Sequence, residues 1–269
     1  MKQFPEIRPE DASPEIAAIY AEICAVSGVP VVNLIWRHFA ALPGVLAWAW
    51  SAVRPLAGSR EMVAARTRLA RAVVLPAFVP PGKAGWQDAG VDAAALPAVA
   101  ATIDAYVRGN TTNIVALTAL RLRLDEPDAP PVSLTPAEPP APAAALPALP
   151  RIDTLDPVLA ARIRTLAACH DGAGDGVIPS LYLALAPWPG VIAALPDWLG
   201  PLLAADALRA ARESVLRAAA TEAAALMPTL GPAPAGLDTM RPALERFTRL
   251  VIPDLIPVCI ALRDLLAEG

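Results

Sequence analysis

The chain has 269 residues, 55% of them hydrophobic and 18% charged, with a formal net charge of −4. That balance supplies ample core material and argues against intrinsic disorder. Without a dense basic stripe, the chain is not expected to bind nucleic acid. Its three cysteines, Cys24, Cys169 and Cys259, are odd in number and lie outside any CxxC or Cys/His cluster. A disulfide framework or zinc site is therefore not expected, and the thiols read as free and buried. No metal or organic cofactor is indicated. The N-terminus lacks the apolar segment of a secretory signal, so a cytoplasmic location is expected.

Alanine and leucine dominate and β-branched residues are sparse, which favours helix. In chain order, 14–27 reads as a helix, with Ser13 as N-cap and proline at the first helical position. A second helix over 31–42 ends before Pro43-Gly44. A third, 45–53, stops before Pro55. A long amphipathic fourth covers 59–75, and 96–106 and 110–124 complete the set. Residues 126–150 hold nine prolines and read as an extended linker. Beyond it, helices are expected near 157–169, 178–186, 191–199, 205–226 and 240–267, the last broken at Pro253 or Pro257. No clean period-2 alternation suggests a sheet, so the expected fold class is all-α. The uncharged run 177–196 is long enough to span a membrane, but it carries Pro179, Pro187, Pro189 and Pro196. Its prolines would leave carbonyls unsatisfied in lipid, so it reads as buried helix, turn, buried helix.

The chain matches itself when shifted by 146 residues: over 31–72, 13 of 42 positions are identical. Pro43-Gly44 falls on Pro189-Gly190, Pro55-Leu56 on Pro201-Leu202, and Arg66 on Arg212. A second block, shifted by 141, matches 104–108 to 245–249 and sets Asn113 opposite Asp254. The expectation is two tandem helical repeats, 1–125 and 151–269, joined by the linker 126–150. A pseudo-two-fold axis between them would put a pocket at their interface. The copies differ in polarity: Asn33, Arg37, His38 and Asn113 in the first face Pro179, Leu183, Ala184 and Asp254 in the second.

The stretches Val29-Pro30-Val31-Val32-Asn33-Leu34-Ile35-Trp36-Arg37-His38-Phe39-Ala40 and Gly109-Asn110-Thr111-Thr112-Asn113-Ile114-Val115-Ala116-Leu117 have a recognisable pattern. So do Tyr182-Leu183-Ala184-Leu185-Ala186-Pro187-Trp188-Pro189-Gly190 and Leu255-Ile256-Pro257-Val258-Cys259-Ile260-Ala261-Leu262-Arg263. Together they resemble the group I 2-haloacid dehalogenases, the halocarboxylic acid dehydrogenase family. The resemblance implies an all-helical pseudo-dimer with its site between the repeats. It implies cofactor-free hydrolysis of a short 2-haloalkanoic acid, in which an aspartate activates water and an asparagine assists. Asn113 matches that asparagine, with Asn110 a near rival, and Trp36 matches the aromatic that shapes the pocket. The position of the aspartate, eight residues before Pro189, holds Leu181, preceded by Ser180.

From the residues themselves, several readings stay open. Asn113 either serves the site or caps a helix after Gly109. Trp36 and Tyr182 either pack the core or line the pocket. His38 is a base, an anion contact or a structural histidine. Ser180 lacks evident His/Asp support for a nucleophile. Asp254, in an apolar run, is either a pocket base of raised pKa or half of an ion pair. Arg37, Arg66 and Arg212 are candidates to hold a substrate carboxylate, or form salt bridges. His170 precedes the Gly-rich loop 171–176. The functional expectation is a haloacid dehalogenase-like hydrolase with Asn113, Asp254 and His38 in catalysis and Trp36, Arg37, Ser180, Leu181 and Tyr182 around the substrate. The alternative is a relative that lacks the aspartate and binds or converts another small carboxylic acid. A small acid is the expected partner, and a homodimer stays open.

Overall fold

A computed structural model of the chain describes residues 5–126, 133–141, 146, 148–170, 177–231 and 238–268. The first helix, α1 (Pro14–Ser27), begins where Ser13 accepts a bond from the Ile16 amide at 3.4 Å. It ends at Gly28, whose φ of 63° is the left-handed conformation that glycine adopts without strain. Helix α2 (Leu34–Ala40) is short and α3 (Val45–Ala57) follows. The expected stop before Pro55 does not occur; the helix runs through that proline into Gly58. Helix α4 (Arg60–Ala72) is capped by Ser59, which accepts from the Met62 amide at 3.0 Å, and α5 (Gly82–Asp88) was not evident from the sequence.

Helix α6 (Leu96–Asp125) is one continuous 30-residue element where two were expected. Gly109, read from the sequence as a break, lies inside it. A Cβ there would stand 3.1 Å from the Asn33 carboxamide oxygen, so the glycine serves a close approach rather than an interruption.

Past the proline-rich segment come α7 (Pro157–Ala167), α8 (Ser180–Ala184), α9 (Pro189–Trp198), α10 (Gly200–Leu203) and α11 (Ala205–Leu226). The uncharged run is thus helix, turn, helix, and no helix among the described residues is long and apolar enough to cross a membrane. The last stretch holds α12 (Arg241–Arg246), a π-helical turn (Phe247–Val251) and α13 (Ile252–Ala267). The expected break falls upstream of the prolines: the wide turn leads into Pro253 in the first turn of α13, where a missing N–H costs little, and Pro257 is absorbed within the helix.

Helices α4, α6, α11 and α13 pack on one another at the centre, and the shorter helices clothe them. One apolar cluster runs through both halves of the chain, from Tyr20 to Leu265. No strand occurs among the described residues, and the architecture is all-α. In the proline-rich segment, the Arg60 amide donates to Thr135 O at 2.9 Å and the Ala137 amide to Gly58 O at 2.9 Å. The three thiols are free, but Cys169 is exposed, contrary to expectation, while Cys259 is buried and Cys24 half-buried.

Candidate functional site

The site is built on one face of α6. Tyr106, Asn110 and Asn113 stand at i, i+4 and i+7, so they share a stripe about 10 Å long. All three are buried, and each meets a different element.

At one end, the Trp36 indole N–H donates to the Asn113 Oδ1 at 3.0 Å. Because indole nitrogen only donates, the carboxamide orientation is fixed and the amide nitrogen stays a donor. That nitrogen makes no hydrogen bond among the described residues. Asn113 lies mid-helix, which removes the capping reading. Trp36 is held edge-on by Phe39 at 5.8 Å and by Trp50 at 5.6 Å. In the middle, the Asn110 amide reaches the Cys259 Sγ of α13 at 3.8 Å. Burial pushes the Cys259 thiol up to about 12, so it stays protonated and is not a nucleophile.

At the other end, the Tyr106 hydroxyl is buried and has no hydrogen bond of normal geometry among the described residues. Its polar surroundings are Ser180, Arg37 and Cys259. Burial raises this phenol well above its ordinary value, against the weaker pull of Ser180 and Arg37, so it remains a donor.

Ser180 opens α8 and lines a cleft of about 470 Å³ together with Leu34 and Arg37 of α2 and Leu183 of α8. Residues 149–153 and the N-terminal segment complete the wall. Arg37 is nearly fully buried and pairs with Glu6 at 3.0 Å. The N-terminal segment is tied to α2 at successive points: the Ile7 amide donates to Arg37 O at 3.0 Å, and His38 Nδ1–H to Pro5 O at 2.7 Å. Tyr20 adds a bond to Ile7 O at 2.8 Å. Arg8 donates to Leu149 O at 3.0 Å, joining this strap to the proline-rich segment.

The structure thus brings Arg37 and Ser180 to one cleft, and bonds Trp36 of α2 to Asn113 on the α6 stripe. The other expected residues lie elsewhere. His38 faces away from Trp36, with its ring stacked on Phe247 at 6.2 Å. Leu181 is 0% exposed and packs in the core. Tyr182 is buried with its hydroxyl 2.7 Å from His170 Nε2, and burial raises its pKa strongly. Asp254 is 1% exposed and meets Arg212 at 3.2 Å. The loop 171–176 lies outside the described residues. No cluster of metal-ligating side chains occurs among the described residues. Sequence reasoning missed Tyr106, Cys259 and Glu6. The Tyr106/Asn110/Asn113 spacing on one helix was the signal for the first; Glu6 has none, because only the tertiary fold lays the N-terminal segment along α2.

At neutral pH this arrangement offers a guanidinium, two hydroxyls and amide donors, a set suited to an anion with polar oxygens.

No protein-family model matches the chain, and no characterised protein matches it in sequence. Solved structures do match in three dimensions. A D-2-haloacid dehalogenase mutant in complex with D-2-CPA superposes with a TM-score of 0.77 at 18% identity, over 99% of this chain and 96% of that one. A D-2-haloacid dehalogenase in complex with L-LA gives 0.77 at 19% identity, over 99% and 96%. A further mutant of such an enzyme gives 0.77 at 19% identity, over 98% and 96%. Along nearly its whole length, then, this chain has the all-α fold of the D-2-haloacid dehalogenases.

Proposed function

We propose that the chain binds a short 2-substituted carboxylic acid in the cleft between two diverged helical repeats, 1–125 and 151–269, and lacks the water-activating aspartate used for haloacid hydrolysis in the resembling family. In this reading Arg37 and the Ser180 and Tyr106 hydroxyls hold the carboxylate, and the Asn113 amide nitrogen faces the rest of the ligand. Asp254 and His38, candidates from the sequence, take structural duties: one is paired with Arg212, the other holds the N-terminal strap.

The observation that carries this reading is Leu181, a buried aliphatic side chain at the position where the family resemblance wants its base. A leucine cannot take a proton from water, and general-base catalysis typically contributes about 10²–10⁴-fold. The size of the cleft adds support. A three-carbon haloacid would displace on the order of 100–200 Å³, taking ~30 Å³ per water as a guide. The cleft is about 470 Å³, which suits an acid with a larger substituent at C2.

The test is calorimetric titration with 2-chloropropionate, lactate and longer 2-substituted acids, run beside halide-release assays on both enantiomers of 2-chloro- and 2-bromopropionate. Binding without halide release is expected, with release appearing on Leu181→Asp. Halide release by the wild type at enzymatic rates would sink the altered-site reading. Failure of every acid to bind, in wild type and in Arg37→Gln alike, would sink the acid pocket.

One observation favours a second reading, in which dehalogenation is retained. Glu6 lines the same cleft, paired with Arg37 and only partly exposed, where it would take the proton from an attacking water. That reading predicts wild-type halide release that Glu6→Gln abolishes while acid binding persists.

A further inference from the structure

A second cavity lies among α4, α6 and α13 and shares no lining residue with the acid cleft. It measures about 800 Å³ and is lined by Arg66 and Arg71 of α4, Arg108 of α6 and Arg263 of α13, with the Thr67 and Thr111 hydroxyls among them. Acids are fewer. Asp104 and Asp264 border the cavity, and Glu138 borders a neighbouring cleft that Arg66 and Arg108 also line. Asp264 is taken by Arg263 at 3.1 Å. Neither Asp104 nor Glu138 comes within ion-pair distance of an arginine among the described residues. Arg66, Arg71 and Arg108 therefore have no carboxylate partner among those residues.

Such an arrangement is costly without a ligand. Arg66 is half-buried, and its pKa is held down by burial and then by the charge of Arg108, so the two guanidiniums repel across a partly desolvated gap. The Arg108 guanidinium lies against Gly28, filling the space where any Cβ would collide with it. Elsewhere on the same helices, arginines find acids readily: Arg68 pairs with Glu222 and Arg121 with Glu245. Where the chain leaves three guanidiniums facing one cavity, the missing partner is an anion of matching charge. Guanidinium forks bind phosphoryl and carboxylate oxygens two at a time, and a dianion would offset the repulsion that a chloride would only dilute.

We propose that the cavity bounded by Arg66, Arg71 and Arg108 is a binding site for a small dianion, a phosphate monoester or a dicarboxylate, separate from the acid cleft.

The experiment is isothermal titration of the full chain with inorganic phosphate, glycerol phosphate and succinate, each against sodium chloride at equal ionic strength. Saturable binding of at least one dianion at one site per chain is expected, with chloride giving none. A preference for the phosphates assigns the ligand to phosphate monoesters, and a preference for succinate assigns it to dicarboxylates; either supports the site. The Arg66→Gln/Arg108→Gln variant should bind at least about tenfold more weakly, as expected for loss of two charge-assisted contacts. The charge-matched control, Arg162→Gln/Arg164→Gln on α7, should bind like wild type. Arg71→Gln changes an exposed residue and keeps the test open should the double variant fail to fold; it should weaken binding less. The proposal is overturned if the dianions behave like chloride, or if the α4/α6 variants bind as tightly as the α7 control.

Discussion

Helices α6 and α13 occupy matched places in the shifted alignment, yet they treat the same position in opposite ways. On α6, Asn113 is neutral and bonds to an indole from α2, keeping a donor to spare. On α13, Asp254 is charged and is met by Arg212 of α11, the residue that the shift matches to Arg66. On the first side, Arg66 borders the cavity among α4, α6 and α13. The two matched positions thus sit in different neighbourhoods: a neutral hydrogen bond on α6 and a buried ion pair on α13. A neutral residue at 254 would take this carboxylate from Arg212.

The sharpest way to break the comparison is to remove the buried carboxylate. Asp254→Ala breaks its buried pair with Arg212, and the loss should be about 3–5 kcal/mol in denaturant unfolding. At the matched position, Asn113→Ala removes only a neutral hydrogen bond and should cost about 1–3 kcal/mol. Equal losses would mean that the Asp254–Arg212 pair is solvated.

The two Pro-Gly pairs offer a second contrast. At Gly190 a Cβ would overlap the carbonyl oxygen of Ala89, whereas at Gly44 it would meet nothing. Gly190→Ala must move backbone and should cost about 1–3 kcal/mol or more by chemical unfolding. Gly44→Ala meets only the strain of φ 73°, about 1–2 kcal/mol. A reversed order would show that the α9 turn yields easily.

Trp36→Phe keeps most of the ring packing and removes the N–H that holds Asn113. A stability loss of about 1–2 kcal/mol is expected, with acid binding weakened because the carboxamide is no longer oriented. Tyr182→Phe on the second half should leave acid binding unchanged. If both variants bind acid equally, the stripe on α6 is packing only.

The smallest effect is in alkaline solution. Cys259 holds its proton up to about 12 in the folded chain, above its value of 9.0 when exposed. Below 9 both states are protonated and its contribution is full. Above 9 the unfolded state loses the proton first, so stability falls as pH rises toward 12. The slope from this one group is at most about 1.4 kcal/mol per pH unit. Unfolding at pH 8 and pH 10 should differ less in Cys259→Ala than in wild type. A thiol reagent at pH 8 should label exposed Cys169 and spare Cys259.

Much of the fold is legible in the sequence. Ser13-Pro14 marks a helix start because a hydroxyl satisfies an orphan amide, and composition favours helix throughout. Errors came where local rules met packing. Pro55 and Gly109 read as breaks and are not, since tertiary contacts hold α3 and α6 through them. The candidate site was legible in pieces. Trp36, Arg37, Asn113 and Ser180 could be named, but their duties could not.

By itself, the sequence determined the helical class, most of the element order and the presence of polar residues on otherwise apolar helices. It did so because caps, helix propensity and composition are local properties. Only the tertiary structure decided that Asp254 spends its charge on Arg212, that His38 ties down the N-terminal strap, and that Arg66 and Arg108 face a cavity in which no carboxylate among the described residues pairs with them. Those outcomes depend on which side chains from distant segments come within a few ångströms, and pairing and burial are set by that proximity rather than by any single helix.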